Sequence, residues 1–181
     1  MKKLFAAVFL SLLSLTAAAE RADSLKPAVI DYDSADVDGV SGTRIFTGNV
    51  ILTRGTLLLK ADRAVVKETP EGYMTVTLTA NDNRLTTFRQ KRDGGPNLWV
   101  EGQAERIEYD ERTELVRLYS NALIKELENS RMTNQITGPF ISYDNRKEVA
   151  TVRNDVSGQS KAGGGRGTLI LSPKRTPAGG A

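Results

Sequence analysis

The acidic side chains are the residues of this chain best suited to do chemistry. Glu105, Glu108, Asp110, Glu111 and Glu114 fall within one ten-residue stretch, and a pair of carboxylates flanking a glycosidic bond is the catalytic device of most glycoside hydrolases. On polar strand faces and turns the same residues would instead supply solubilising charge. Spacing in the sequence does not show whether any two of these carboxylates face each other across a cleft. A carboxylate-dependent envelope glycosidase is therefore one candidate.

Two further segments resemble ligand-binding motifs but depart from them. Residues 31–39 (DYDSADVDG) carry four aspartates, yet a calcium loop counted from Asp31 would need an oxygen ligand at Ala35 and a glutamate at Gly42. Residues 163–168 (GGGRGT) lack the Gly-Lys-Ser/Thr ending of a phosphate loop, and a predicted strand rather than a helix follows. We therefore predict no metal site and no cofactor.

The chain contains no histidine and no cysteine. Histidine-based acid–base catalysis, Ser-His-Asp and Cys-His nucleophile systems, and nearly all zinc sites need one or the other. We predict a protein that is not an enzyme and has no catalytic residues, stabilised by burial and backbone pairing.

The N-terminus has the layout of a secretory signal peptide. Lys2 and Lys3 precede an apolar run at residues 4–19, which ends in three alanines before Glu20. The run of 16 residues is shorter than the roughly 20 needed to span a bilayer. Cleavage after Ala19 would leave 23 basic and 22 acidic residues, a net charge of +1 that gives no case for nucleic-acid binding.

Strand patterns dominate the remaining chain. Residues 73–80 (YMTVTLTA) alternate apolar and threonine side chains with a period of two. Residues 44–53, 57–59, 97–101, 104–109 and 168–172 are also typical of strands, and turn residues separate them at 38–39, 54–55, 71–72, 93–96 and 144–145. We predict an all-β fold of many short strands.

A repeat organises these strands. Residues 106–118 (RIEYDERTELVRL) match residues 140–152 (FISYDNRKEVATV), and looser copies begin at Ile30 and Ala61. Each copy predicts two strands around a turn, and four copies in series predict stacked strands that bury one face against their neighbours. A generic antiparallel sandwich is the alternative. Such a repeat builds shape rather than an active site.

Four cations surround Phe88, namely Arg84, Arg89, Lys91 and Arg92. An aromatic residue among cations could contact an anionic lipid or polysaccharide. It could equally lie in an edge strand that charge protects from aggregation. The composition does not separate the two.

Several of these segments together resemble a known family. Residues 46–50 (FTGNV), 54–56 (RGT), 61–63 (ADR), 87–88 (TF), 100–104 (VEGQA), Tyr109 and 118–122 (LYSNA) occur in the order found in the LptA domain family of lipopolysaccharide-transport proteins. The match extends over residues 27–173. Glu111 stands where the family can have an apolar residue, and Ala28 is smaller than the usual isoleucine.

The resemblance implies a single β-jellyroll, a slightly open and twisted roll of antiparallel strands with an apolar interior. It implies a periplasmic carrier of lipopolysaccharide in the Gram-negative envelope, which holds the lipid A acyl chains inside the roll. The implied partners are lipopolysaccharide, further copies joined head to tail, and LptC-like inner-membrane and LptD-like outer-membrane proteins. A purely structural scaffold with a filled core is the third candidate.

The expected domains are a signal peptide at 1–19, the jellyroll at 20–173 and a flexible tail at 174–181. Position in the family and the apolar alternation predict a lipid-binding interior formed by Ala28, Ile30, Phe46, Phe88, Ile107, Tyr109, Leu118, Ile141 and Tyr143. The first and last strands would be assembly edges, because unpaired edges accept a further strand. The edge residues are Val29, Ile30, Asp31, Thr168, Leu169, Ile170 and Leu171.

Overall fold

The structure, a computed structural model, describes residue 23, residues 26–82 and residues 84–173. The predicted signal peptide and C-terminal tail lie outside the described residues. Within the described residues, no helix is long and apolar enough to cross a membrane.

Twelve strands form the described part of the chain. They are β1 (Val29–Asp31), β2 (Ser34–Asp38), β3 (Thr43–Arg54), β4 (Leu57–Glu68), β5 (Met74–Thr79), β6 (Thr86–Lys91), β7 (Leu98–Ala104), β8 (Arg106–Asp110), β9 (Leu115–Glu128), β10 (Arg131–Asp144), β11 (Val149–Arg153) and β12 (Thr168–Leu171). All their pairings are antiparallel. The predicted all-β class is confirmed.

The strands form one sheet that folds over into two leaves, because β3, β4, β9 and β10 are long enough to contribute a half to each. The first leaf has the order β2-β3-β4-β5-β8-β9-β10-β11. The second leaf has the order β1-β3-β4-β6-β7-β9-β10-β12. Buried residues of both leaves form one core cluster, so the leaves pack face to face.

The long strands bend where consecutive residues adopt the left-handed conformation. Gly48 and Asn49 in β3 have φ of 81° and 47°, and Ser120 and Asn121 in β9 have φ of 62° and 52°. The β3–β4 register shifts between Thr47 and Val50. Left-handed residues at a bulge bend a strand, and glycine and asparagine tolerate that conformation best. The segments FTGNV and LYSNA therefore form the crease between the leaves.

The repeat predicted from the sequence corresponds to equivalent hairpins of the first leaf. In β8–β9, Ile107 pairs with Leu118 and Asp110 with Leu115. In β10–β11, Ile141 pairs with Val152 and Asp144 with Val149, in the same register. The looser copy at Ala61 forms β4–β5 as predicted. The copy predicted at Ile30 was placed wrongly, because Ile30 lies in β1 and pairs with Leu52 in the second leaf, and the fourth hairpin of the first leaf, β2–β3, begins at Ser34. The second leaf, which the repeat did not predict, covers their buried face.

One local prediction was wrong, and one of the two alternatives left open for the strand of Phe88 is excluded. Residues 104–109 do not form one strand, because the chain passes from the second leaf to the first at Glu105, whose N–H donates to Ser120 O at 3.1 Å. The strand containing Phe88 is not an edge, since β6 pairs with both β4 and β7. Cations around it have local partners: Arg84 pairs with Asp62 at 2.8 Å and Arg89 with Glu101 at 3.2 Å.

Candidate functional site

The inner face of the first leaf carries an apolar row that runs from strand to strand. Strand registers align one inward residue of each strand from β3 to β11. In β-strands alternate side chains point to the same face, so these residues face the second leaf together. The row consists of Phe46, Ala64, Leu78, Ile107, Leu118, Ile141 and Val152.

A second row lines the other leaf. Its members align through the registers from β1 to β12 and belong to the core cluster or pack against it at most positions. The row consists of Ile30, Leu52, Leu59, Phe88, Gly102, Ile124, Ile136 and Leu169. The interior is therefore apolar from the β1 end to the β12 end.

The two rows account for most of the nine residues predicted to line the interior. Phe46, Ile107, Leu118 and Ile141 lie in the first row, while Ile30 and Phe88 lie in the second. Tyr109 and Tyr143 occupy the neighbouring inward position, joined through Val116. Ala28 is half-buried just before β1. Their role in binding lipid stays a prediction.

Side chains from both leaves meet in the middle of the interior. A methyl group added at Gly102 would lie 2.1 Å from Phe88 Cε1 and 3.0 Å from Leu118 Cδ2, although these two residues belong to different leaves. Phe88 is 2% exposed and Leu118 0%. A glycine inside a strand often marks such a close approach. A hydrocarbon chain can pass this point only if side chains move or the leaves separate.

A pocket of about 370 Å³ opens at the β1 end of the interior. Its apolar lining comes from Ala28, Ile30, Val66 and Met74, and charged side chains stand at its rim. Glu111 and Ala28, the two residues that differ from the resembled family, both line this pocket. Gln90, Arg92 and Tyr143 line a separate cavity of about 20 Å³, which is water-sized.

Opposite the crease, the tips of the leaves are joined by side chains rather than by shared strands. Arg54 at the end of β3 forms an ion pair with Glu111, which follows β8. The two side chains are 11% and 9% exposed. Glu111 Oε2 also accepts a hydrogen bond from Met74 N at 2.7 Å. We call this contact the first clasp.

A second clasp lies farther along the same seam. Arg92 Nη2, after β6, donates to Glu148 Oε2 at 2.6 Å, and Asp93 N donates to Glu148 Oε1 at 3.0 Å. Asn145 Nδ2 donates to Gln90 Oε1 at 2.6 Å. Because Glu148 and Asn145 belong to the β10–β11 turn of the first leaf, these bonds tie that turn to the second leaf. The seam is thus polar, while the interior behind it is apolar.

The two inward tyrosines are held neutral by their surroundings. Burial raises the pKa of Tyr109 well above its ordinary value, and the negative charge of Glu114 acts in the same direction. Burial likewise raises the pKa of Tyr143, and the nearby Arg92 partly offsets this. Burial favours the uncharged phenol because a phenolate loses its hydration there. The interior therefore presents neutral aromatic rings.

The five carboxylates considered as a catalytic group have individual structural partners. Glu111 pairs with Arg54, and Glu114 with Arg146 at 3.1 Å. The remaining three accept hydrogen bonds: Glu105 from Asn121 Nδ2 at 2.6 Å, Glu108 from Tyr119 Oη at 2.9 Å and Asp110 from Thr113 N at 3.0 Å. These contacts tie neighbouring strands and turns, a structural role that neither the catalytic nor the solubilising interpretation of the sequence included.

The predicted assembly edges lie at opposite ends of the second leaf. β1 pairs only with β3, and β12 only with β10. Leu169, Ile170 and Leu171 are 58%, 44% and 67% exposed, and Val29 is 56% exposed. Assembly through these residues stays a prediction, but each strand has one side free of pairing within the described residues.

The sequence prediction missed a second pair of edges. β2 and β11 terminate the first leaf, and each also pairs with a single neighbour. Each leaf contains eight strands with antiparallel neighbours, so its first and last strands run in opposite directions. A second copy could therefore continue both leaves at once with antiparallel pairing. The last repeat copy, which ends in β11, was a signal for one of these two edges.

Comparison with known proteins gives consistent matches. Residues 29–149 match the family described as "LptA/(LptD N-terminal domain) LPS transport protein". A lipopolysaccharide export system protein LptA from Haemophilus influenzae is 31% identical over 173 residues, covering 91% of this chain and 87% of the relative. The Escherichia coli K12 protein of the same name is 32% identical over 124 residues, covering 68% of this chain and 65% of the relative.

A solved structure has the same fold. It is LptH from Pseudomonas aeruginosa, described as the LptA homologous periplasmic component of the conserved lipopolysaccharide transport device. The TM-score is 0.71 with 20% sequence identity, and the alignment covers 84% of this chain and 99% of LptH. The jellyroll predicted from the resemblance is confirmed.

Proposed function

The chain belongs to the LptA/(LptD N-terminal domain) family of LPS transport proteins, and we propose that it carries lipopolysaccharide across the periplasm with the acyl chains between its two leaves. The observation that carries the proposal is the apolar lining, which continues through both leaves from the β1 and β2 end to the β11 and β12 end. Catalysis has no part in this function.

Burial of hydrocarbon supplies the binding free energy. Each Å² of apolar surface removed from water contributes about 25 cal/mol, so an acyl chain placed between the inward rows gains from both faces. A lining of similar aliphatic residues on every strand also keeps the binding free energy nearly equal along the interior. Lipid that is held equally well at successive positions is not trapped at any of them.

The sugar head group of lipopolysaccharide extends out of the interior through the seam. On the crease side, continuous strands close the molecule, whereas the clasps on the seam side are side-chain contacts. An acyl chain enters when the leaves separate along the seam, and the sugars stay in water outside it. Phe88 and Leu118 then move apart over Gly102 to make room for the chain.

Copies join end to end to bridge the periplasm. Strand addition at an exposed edge gives main-chain hydrogen bonds between partners, and here the β1 and β2 edges of one copy meet the β12 and β11 edges of the next. The terminal copies dock on the jellyroll domains of an LptC-like inner-membrane protein and an LptD-like outer-membrane protein. The family description, which includes the LptD N-terminal domain, supports a shared docking geometry.

Binding of lipid by the purified protein from residue 20 onward tests the proposal. A fluorescent fatty acid whose emission rises in apolar surroundings should bind, and purified lipopolysaccharide should displace it while the free core oligosaccharide does not. A protein that binds no probe would match the structural scaffold instead. Release of reducing sugar from cell-wall glycan, lost on Glu111→Gln, would support the glycosidase.

A further inference from the structure

The N-terminal edges carry a uniform charge. Residues 28–38 contain four aspartates and no lysine or arginine. All four are exposed: Asp31 on β1, Asp33 between the strands, and Asp36 and Asp38 on β2. Both edge strands at this end are therefore acidic, and no cation of the same segment compensates them.

The opposite end carries the opposite charge. Residues 149–173 contain three cations and one acid, Asp155. Lys161 pairs with Asp155 at 2.9 Å, which leaves Arg153 and Arg166, both exposed. Arg153 donates only to the neighbouring Val152 O at 3.1 Å, and Arg166 has no ion pair among the described residues. The edge formed by β11 and β12 is therefore basic.

We propose that these opposite charges orient the end-to-end assembly: the acidic β1–β2 edge of one copy binds the basic β11–β12 edge of the next. This inference rests on the proposed carrier function and adds the recognition between copies. The occupant of each edge is thus a second copy of this chain, identified by charge complementarity.

The strand registers place the charges at the joint. In the first leaf one outward row contains Ser34 and Arg153, and the next contains Asp36 and Thr151. When a second copy continues these rows, Arg153 faces its Ser34 and lies diagonal to its Asp36. Diagonal cross-strand neighbours are within reach of long side chains.

The second leaf gives a matching arrangement. Asp31 and Thr168 share an outward row through β3, β4, β6, β7, β9 and β10. Antiparallel continuation of that row brings Arg166, two residues before Thr168, level with Asp33 of the next copy. Both leaves therefore contribute one arginine and one aspartate of opposite copies to the joint.

Charge also excludes the wrong orientation. Main-chain pairing alone would allow two β1–β2 edges to meet, since edge strands of any sequence can pair. Two such edges would set aspartates against aspartates, and like charges opposite each other in a sheet are destabilising. These side chains are exposed, so salt screens the interactions between their charges, with a Debye length of about 8–10 Å. Assembly should weaken as salt rises.

Charge reversal with mixing tests the inference. Asp36→Arg sets two cations against each other at the first-leaf joint, and Arg153→Asp sets two anions against each other there, so each variant alone should dissociate on the order of tenfold more readily in sedimentation experiments at low salt. Mixing the two variants should restore assembly, because positions 36 and 153 of opposite copies can then carry one cation and one anion at each first-leaf joint. Asp82→Arg, an exposed change between β5 and β6, is the matched control and should assemble as the unmodified protein does.

The outcomes distinguish failure of charge orientation from failure of end-to-end assembly. If the unmodified protein assembles but neither the reversals nor salt changes its dissociation, charge orientation is wrong and the carrier function stands. If the unmodified protein does not assemble at any concentration, end-to-end bridging and this inference both fail. Unfolding midpoints close to that of the unmodified protein verify that the variants are folded.

Discussion

Arg54 and Glu111 form an ion pair that joins the tips of the two leaves at the β1 end of the interior. Arg54 ends β3 in one leaf and Glu111 follows β8 in the other, and these two strands are not paired with each other. A charged contact at the entrance of an apolar interior holds the leaves together, and water can solvate its two side chains when the leaves separate. The seam can therefore hold the two leaves together and still open toward the apolar interior.

Loss of one partner of the first clasp should destabilise the fold. Glu111→Gln removes the charge of Glu111 from its largely buried ion pair with Arg54, at a cost of about 3 kcal/mol in the free energy of unfolding. Replacing both residues, Arg54→Met with Glu111→Leu, should recover most of that loss. Urea unfolding measures the free energy of unfolding of the unmodified protein and of both variants.

The exposed pair Arg44–Glu68 provides the control for the clasp. Its side chains are 37% and 45% exposed, so Glu68→Gln should cost less than about 1 kcal/mol. Equal losses for Glu68→Gln and Glu111→Gln would show that the clasp has no special role in closing the seam.

Gly102 should tolerate no side chain while Phe88 keeps its position. Gly102→Ala places a methyl group 2.1 Å from Phe88 Cε1, and such overpacking costs about 1–3 kcal/mol. Adding Phe88→Leu should relieve the clash and recover part of the loss. Gly39→Ala, where nothing lies within 4 Å, should leave stability within about 0.5 kcal/mol. A neutral Gly102→Ala would mean that the interior is looser than its packing indicates.

Stability should fall in alkali because of the buried tyrosines. Burial raises the folded-state pKa of Tyr109 and Tyr143 above the ordinary 10.0. A group with a raised folded pKa contributes stability below its unfolded pKa and loses it as pH rises further. The free energy of unfolding should therefore decline above about pH 10, as followed by urea unfolding at each pH.

The double variant Tyr109→Phe with Tyr143→Phe isolates the tyrosine contribution to this decline. Its stability should depend less on pH above pH 10 than that of the unmodified protein. An unchanged pH dependence would assign the alkaline decline to other groups.

Removal of the last strand should impair assembly. A chain that ends at Gly167 lacks β12 and its exposed Leu169, Ile170 and Leu171, so the second leaf ends in a different edge. Concentration-dependent sizing should show weaker self-association. A chain that ends at Pro173 keeps β12 and should still assemble. If both truncated chains assemble equally, β12 is not a docking edge.

Much of the fold followed from local patterns. The alternation in residues 73–80 predicted β5, and the repeat at residues 106–118 and 140–152 predicted two hairpins with matching registers. Both signals are alternations with a period of two over a short stretch, so residues that are close in sequence are enough to reveal them. The inward positions followed from the same alternation.

The two-leaf arrangement was not predictable in this way. A strand such as β9 changes leaf at Ser120 and Asn121, and its apolar alternation continues on both sides of the bend. The clasps join residues far apart in sequence, so Glu111 could be recognised only as a carboxylate near a turn. The filling of the interior by Phe88 over Gly102 depends on how the leaves close.

Photo-crosslinking in living cells tests the central claim, that lipopolysaccharide passes between the leaves, most directly. A photoreactive phenylalanine analogue at Phe88 or Tyr109, both inside, should yield a lipopolysaccharide adduct upon irradiation. The same analogue at Tyr119, in an outward row of the first leaf, is the matched aromatic control and should yield little. No adduct at any interior position, or equal yields at Tyr119, would contradict the account.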